Sequence, residues 1–261
     1  MPIQQWILIY IPTWLTITAM FVVAIVTSIG GVLLVRRYFN VNNFKRHHDI
    51  AGPIFCTIGV LYAVMLGFVL IVVWQNFDKT RDNVIRESNY YADIYRDLVG
   101  VPEPFRSQGR DALNTYVNVI IEDEWPRMMV GERSIKAQAL GTEYWNLIAG
   151  YEPVTESQKV FYQEILRKMN EAGELRRERL SDAASGINPV LWFVLLAGGI
   201  ITVAFTFFFG SENIKAQMIM TTLLSLLIVL ILFTTLSMDY PFSGDVHIGP
   251  QSFQHVLLYL K

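Results

Sequence analysis

Four stretches of this chain contain no charged residue: Trp14–Val35 (22 residues), Ile50–Trp74 (25), Pro189–Phe209 (21) and Ala216–Met238 (23). The hydrocarbon core of a bilayer is about 30 Å thick, and a helix rises about 1.5 Å per residue, so roughly 20 apolar residues span it. Each stretch meets that length. Backbone amides in lipid must be bonded within their own segment, so each stretch is expected to be a helix. Buried helices of large soluble proteins rarely stay apolar for so long. Composition agrees with a membrane chain: 52% of the 261 residues are hydrophobic and 17% charged, where a soluble domain carries about 25% charged residues. A formal net charge of −2 leaves no polycationic footprint, so nucleic acid is not an expected partner. The lone Cys56 cannot form an internal disulfide.

The N-terminal segment lacks the basic start of a secretory signal, since Met1–Thr13 holds no Lys or Arg. Trp6, Tyr10 and Trp14 suit a membrane interface. Pro12 is expected to separate a short interfacial helix, Ile3–Ile11, from the first span.

Residues Gln75–Asn188 hold 15 of the 21 basic and 19 of the 23 acidic residues, a local balance of −4. Phe77, Val84, Ser88, Tyr91, Tyr95 and Leu98 recur on one helical face. No breaker separates Trp74 from Leu98, so the second span is expected to run on as one long helix until Gly100-Val-Pro-Glu-Pro104 stops it. A second helix is expected over Phe105–Trp125, with Leu113, Tyr116, Val117, Ile120 and Ile121 apolar, and a third over Ser134–Ala149. Thr155-Glu-Ser-Gln158 has the form of a capping box. It opens a fourth helix, with Phe161, Ile165 and Met169 on one face, ending near Gly186-Ile-Asn-Pro189. The expected fold class is an all-α membrane protein. Residues 1–74 hold the interfacial segment and transmembrane helices 1 and 2, 75–188 a helical extramembrane bundle, 189–238 transmembrane helices 3 and 4, and 239–261 a C-terminal tail.

Few residues suggest chemistry. The chain has no phosphate-binding loop, nucleophile elbow, HExxH or paired-cysteine metal site, and an enzyme is not expected. His47-His48-Asp49 could approach one metal, but adjacent helical residues point apart, and a basic loop at the headgroups accounts for them. Glu122-Asp123-Glu124 and Arg176-Arg177-Glu178-Arg179 read as solvated faces, the second also as a juxtamembrane anchor. Neither a cofactor nor a metal is expected.

The spans carry no ionisable group, which argues against a proton-coupled transporter. The second is patterned instead. Gly59, Ala63 and Gly67, with Gly52 before them, lay small residues along one side, where helices can approach closely. Val60, Val64 and Phe68 form an apolar stripe beside them, and an apolar constriction can gate ions by dewetting.

Gly59-Val-Leu-Tyr-Ala-Val-Met-Leu-Gly-Phe68 resembles the second helix of bestrophins, and Pro53 matches a proline upstream of it. Asn76-Phe-Asp-Lys79 looks like the segment leading into the bestrophin cytosolic helices, with Thr80 and Arg81 where the family has tryptophan. Asp239-Tyr-Pro-Phe-Ser-Gly-Asp245 is similar to the D-P-F-G segment after the last bestrophin span, so Asp239, Pro241 and Phe242 form a candidate post-helix motif. The whole chain resembles the bacterial bestrophin-like domain family, in which Trp125-Pro126 and Pro241–Asp245 recur.

The resemblance implies an oligomeric ion channel of five copies in the inner (plasma) membrane. Its partners are further copies of itself, the lipid bilayer and inorganic ions, with chloride and other anions favoured over cations. Bestrophins line a narrow neck with three apolar residues spaced four apart, which fall on Val60, Val64 and Phe68, with Gly59, Ala63 and Gly67 packing the helices around it. The bundle would extend the pore as a wider polar vestibule. Asp239 and Asp245 stand isolated, so the acidic calcium clasp of animal bestrophins has no counterpart. Bestrophin topology puts the bundle in the cytosol. Arg36, Arg37, Lys45 and Arg46 in the first loop favour the opposite side, although Lys79, Arg81, Arg86, Arg176, Arg177 and Arg179 nearly cancel them. The competing reading is a non-conducting oligomeric scaffold or sensor whose bundle binds a partner.

Overall fold

The computed structural model describes residues 2–39, 48–209, 211 and 213–259, and their regular structure is helical throughout. In chain order the helices are α1 (Ile3–Tyr10), α2 (Thr13–Tyr38), α3 (His48–Asp97), α4 (Phe105–Val119), α5 (Trp125–Met129), α6 (Ile135–Ala149), α7 (Glu156–Ala184), α8 (Pro189–Phe207), α9 (Ile214–Asp239) and α10 (Gln251–Tyr259). Of these, α2, α3, α8 and α9 are long and apolar enough to cross a membrane, and they contain the four charge-free stretches almost entirely. The chain divides into two compact units. One comprises Pro2–Gln75 with Gly186–Asp239, the other Asn76–Ser185 with the chain from Tyr240 onward. The 50-residue α3 runs through both as a single helix, as the missing breaker between Trp74 and Leu98 predicts.

In the apolar unit, polar side chains sit where helices meet. α2 packs along α9, and there the buried Ser28 hydroxyl donates to Ser225 Oγ at 2.7 Å. Arg36, in the last turn of α2, donates from Nη2 to the Ser211 carbonyl (2.5 Å) and to Gln217 Oε1 (2.7 Å). Its cation also lies where the helix dipole favours one. α3 meets α8 at Tyr62, whose hydroxyl donates to the Leu195 carbonyl at 3.1 Å. Gly198 admits the ring, because a Cβ there would lie 2.6 Å from it.

In the charged unit, the expected capping box opens α7. The Gln158 amide donates to Thr155 Oγ1 (3.2 Å), and Gln158 Oε1 accepts from the Thr155 amide (3.3 Å). Ser134 caps α6 by accepting from the Ala137 amide at 2.9 Å. Val84, Tyr91, Leu98, Leu113, Val117, Ile120 and Ile165 are buried in one core, as their helical spacing requires. α3 ends at Asp97 and a 3-10 turn follows over Leu98–Gly100, where Gly100 makes room for the Phe161 ring.

Two expectations are corrected. The helix expected over Phe105–Trp125 stops at Val119, and a π turn occupies Ile120–Glu124. Pro126 has no N–H to return to the carbonyl of residue 122, so the regular ladder cannot continue there. The segment after α9, expected as a C-terminal tail, is packed into the charged unit. Phe242, Ile248, Phe253 and Val256 lie in the core of the charged unit, and α10 packs against α4.

Gly198→Ala should destabilise the protein by about 1–3 kcal/mol through overpacking against Tyr62. Gly30→Ala, whose Cβ meets nothing within 4 Å, should leave thermal unfolding in detergent unchanged.

Candidate functional site

The second apolar stretch lies on α3, whose faces have different fates. Tyr62, Leu66, Val69 and Val73 are buried within the apolar unit. Val60, Val64 and Phe68 remain 57%, 52% and 65% exposed. At 3.6 residues per turn the centres of these two sets lie about 170° apart, so the candidate neck residues occupy the side opposite the protomer's own packing. Gly59, Ala63 and Gly67 fall on the flank between, and a Cβ at Gly59 or Gly67 would meet nothing within 4 Å. Leu61 and Val72, both exposed, occupy the other flank.

The post-helix residues act structurally. Asp239 Oδ1 accepts from the Ile187 amide (2.7 Å) and Oδ2 from Trp192 Nε1 (3.0 Å), tying the end of α9 to the start of α8. The Pro241 carbonyl accepts from the Ile248 amide at 2.8 Å. Phe242 is fully buried with its ring 5.8 Å from that of Trp125, edge to face. Ser243 donates to the Met129 carbonyl (3.0 Å), and Trp125 Nε1 donates to the Ile248 carbonyl (3.3 Å). The Trp-Pro and Pro-Phe-Ser-Gly-Asp motifs, more than a hundred residues apart in the chain, are thus two halves of one contact.

The charge runs are corrected. Glu124 and Arg179 are buried, not solvated. Arg179 Nε and Nη2 donate to the Glu87 carboxylate (2.7 and 3.0 Å), and Nη2 also donates to Glu124 Oε1 at 2.7 Å. Arg176 Nε donates to both Glu124 oxygens (3.2 and 3.1 Å). The Arg179 guanidinium stacks over the Trp125 ring at 4.9 Å. Burial by itself would raise the Glu124 carboxyl, but Arg179 and Arg176 outweigh it and hold the group below its usual range. Asp123 instead bonds Ser134 and Arg127, so the acidic run splits between separate partners. Helical register carried the missed signal, since Leu113, Val117, Ile120 and Glu124 are spaced four, three and four. A second cation, Lys168, is also buried, with Nζ 2.6 Å from Asp97 Oδ2.

Among the described residues no group of three or more His, Cys, Asp and Glu is placed to hold a metal ion. His47 and the His48 side chain lie outside those residues.

Residues 6–253 match the family model of the Bestrophin-like domain. The chain belongs to that family. Solved structures agree in fold. A bacterial bestrophin homologue from Klebsiella pneumoniae, in a point-mutant form, superposes with a TM-score of 0.71 at 10% identity, over 92% of this chain and 97% of its own. A further crystal structure of the Klebsiella homologue gives 0.68 at 11% identity, over 94% and 97%. Among curated proteins none matches this bestrophin-like chain by sequence. Family membership and four apolar helices make it a multi-pass membrane protein.

Arg179→Met should cost about 3–5 kcal/mol, because it strands buried Glu87 without a partner. Glu124→Gln should cost more than Glu87→Gln, since Glu124 serves two guanidiniums. The stability that Glu124 lends is complete above the unfolded carboxyl value of about 4.3. It is lost as pH falls through the depressed folded value. Denaturant titration followed by tryptophan fluorescence, repeated across acid pH, measures all three.

Proposed function

We propose that this chain is one subunit of a homo-oligomeric ion channel whose second membrane helices surround the conduction path, with Val60, Val64 and Phe68 stacked as apolar rings at its neck. The observation that carries this reading is the exposure of those three residues on a membrane helix whose opposite face is buried in its own protomer. Family and fold support an ion-channel type of membrane protein. Five copies and a preference for anions follow from the bestrophin resemblance alone.

The two flanks of α3 suit assembly into a ring. Gly59, Ala63 and Gly67 on one flank receive the larger Leu61 and Val72 of a neighbouring copy, a head-to-tail contact that closes when the rotation permits. The post-helix motif of Asp239, Pro241 and Phe242 then serves to fasten each protomer and does not line the path. The rings offer no ionised group, so permeation depends on wetting of the neck and on the ion's cost of shedding water.

In planar bilayers under asymmetric salt, the purified protein should show discrete currents that Phe68→Ala enlarges, and the reversal potential should give the sign of the ion. Silence from both forms, with oligomers intact, overturns the channel and favours a scaffold. Gly67→Leu should leave the protomer folded but lower the yield of oligomer, as read by native mass spectrometry from detergent.

A further inference from the structure

The charged unit contains a cavity of about 440 Å³ that neither the neck nor the buried charge network accounts for. Its size lies within the range of small-molecule sites, roughly 300–1,000 Å³. α3, α4, α6 and α7 all contribute to its walls. One wall is aromatic. The rings of Tyr116 and Tyr144 lie near parallel with centroids 6.4 Å apart, Tyr91 stands edge-on to Tyr116 at 5.8 Å, and Trp145 adds a part-exposed indole.

Three cations also line it, among neutral residues such as Ser134, Gln138 and Thr142. Arg133, Arg176 and Arg177 face a single carboxylate, Glu124, which is already engaged by Arg176 and Arg179. Arg133 and Arg177 are exposed and form no ion pair among the described residues. Arg177 lies back over Gly173, where a Cβ would meet its Nη1 at 3.5 Å, so this guanidinium stands at the solvent-facing mouth of the cavity.

A second, independent observation points to a ligand. Tyr144 lines this cavity, and among the described residues its buried hydroxyl has no hydrogen-bond partner. Buried polar groups are normally satisfied, so an orphan donor beside a cavity calls for an acceptor. Burial pushes the Tyr144 phenol well above its ordinary value, so it stays a neutral O–H donor. A helical glycine is unfavourable relative to alanine, yet Gly173 lines the cavity without a side chain to fill it, and Gly141 makes room for the Tyr116 ring, whose hydroxyl a Cβ there would meet at 3.0 Å.

We propose that this cavity binds a small organic anion with a flat, aromatic body, its oxyanion held by Arg133 and Arg177 with the Tyr144 hydroxyl as an added donor. The anionic head suits guanidinium forks, which bond carboxylate or phosphate oxygens in pairs. The body lies against the tyrosine and tryptophan wall. This site does not depend on conduction and stands or falls separately from the neck.

The test is calorimetric titration of the full-length purified protein with benzoate and with phenyl phosphate, beside neutral benzamide and inorganic phosphate. At least one aromatic anion should bind saturably. Benzamide and inorganic phosphate should bind roughly tenfold or more weakly, the equivalent of losing one charge-assisted contact. Arg133→Gln and Arg177→Gln, both at exposed positions, should each weaken binding by a similar factor. Tyr144→Phe keeps the ring and removes only the orphan hydroxyl, so it should weaken binding severalfold with thermal stability unchanged or raised. Gly173→Leu, which fills the cavity from a wall that a Cβ does not crowd, should abolish binding. Absence of saturable binding by either anion overturns the proposal. So does equal binding of benzamide, of inorganic phosphate, or of the wild-type ligand to the arginine variants.

Discussion

Hydrocarbon tolerates neither an unpaired amide nor an unpaired charge, and that constraint separates two kinds of chemistry along this chain. In the apolar unit the hydroxyls turn inward on their own helices. Thr18 donates to the Trp14 carbonyl, Thr27 to that of Val23 and Thr57 to that of Pro53. A few polar side chains reach across helices, such as Ser28 to Ser225 and Thr206 against Thr221. Lipid chains are as apolar as leucine, so helices in a membrane gain little from apolar burial alone. Close approach has to provide the attraction, and it occurs where Gly198 accepts the Tyr62 ring. α3 carries further small residues at Gly59 and Gly67, where a Cβ would meet nothing within 4 Å among the described residues.

In the charged unit the same physics works through pairing. Arg179 is fully buried and meets two carboxylates, with Trp125 and Phe253 rings beside it. Desolvating such a set consumes much of what its Coulomb attraction returns, so its net contribution to stability is small. Its geometric demands are large. Glu87 lies on α3, Glu124 on the π turn and Arg179 on α7, so three segments far apart in sequence must meet in one register. The π turn brings Glu124 into the core beside Trp125, and Trp125 in turn holds Phe242 and the Ile248 carbonyl. The Trp-Pro and Pro-Phe-Ser-Gly-Asp motifs are therefore part of the same arrangement that buries the arginine.

What was legible in the sequence follows from which signals are local. Charge-free length announced the four membrane helices, and 3.6-residue spacing placed Val84, Tyr91, Leu113 and Ile165 inside. The capping box at Thr155 needs only four consecutive residues, and it formed. Glu124 and Arg179 failed a composition rule, because runs such as Glu122-Asp123-Glu124 read as surface when counted rather than phased. Phased against Leu113, Val117 and Ile120, Glu124 belongs to the core face. Pairing across the chain is another matter. Nothing local to Phe242 points to Trp125, and nothing local to Tyr144 shows that its hydroxyl lacks a partner. The aromatic and cationic cavity was invisible for that reason, since its lining comes from four helices and the turns between them, whose contacts no single segment encodes.

The proposed neck illustrates how selectivity can arise without a charged ring. Valine and phenylalanine offer an ion nothing to replace its hydration shell, so the barrier grows with the free energy of stripping water. A larger, more weakly hydrated ion then crosses more easily than a small one, whichever sign it carries. Sign discrimination must come from elsewhere, and the apolar unit supplies little of it. Among described residues its cations stand at helix ends, as Arg36 does against Ser211 and Gln217, and no carboxylate faces Val60, Val64 or Phe68 from the same helix. A neck of this composition ranks ions by hydration first, and any preference for anions has to be set by dipoles and charges outside the rings.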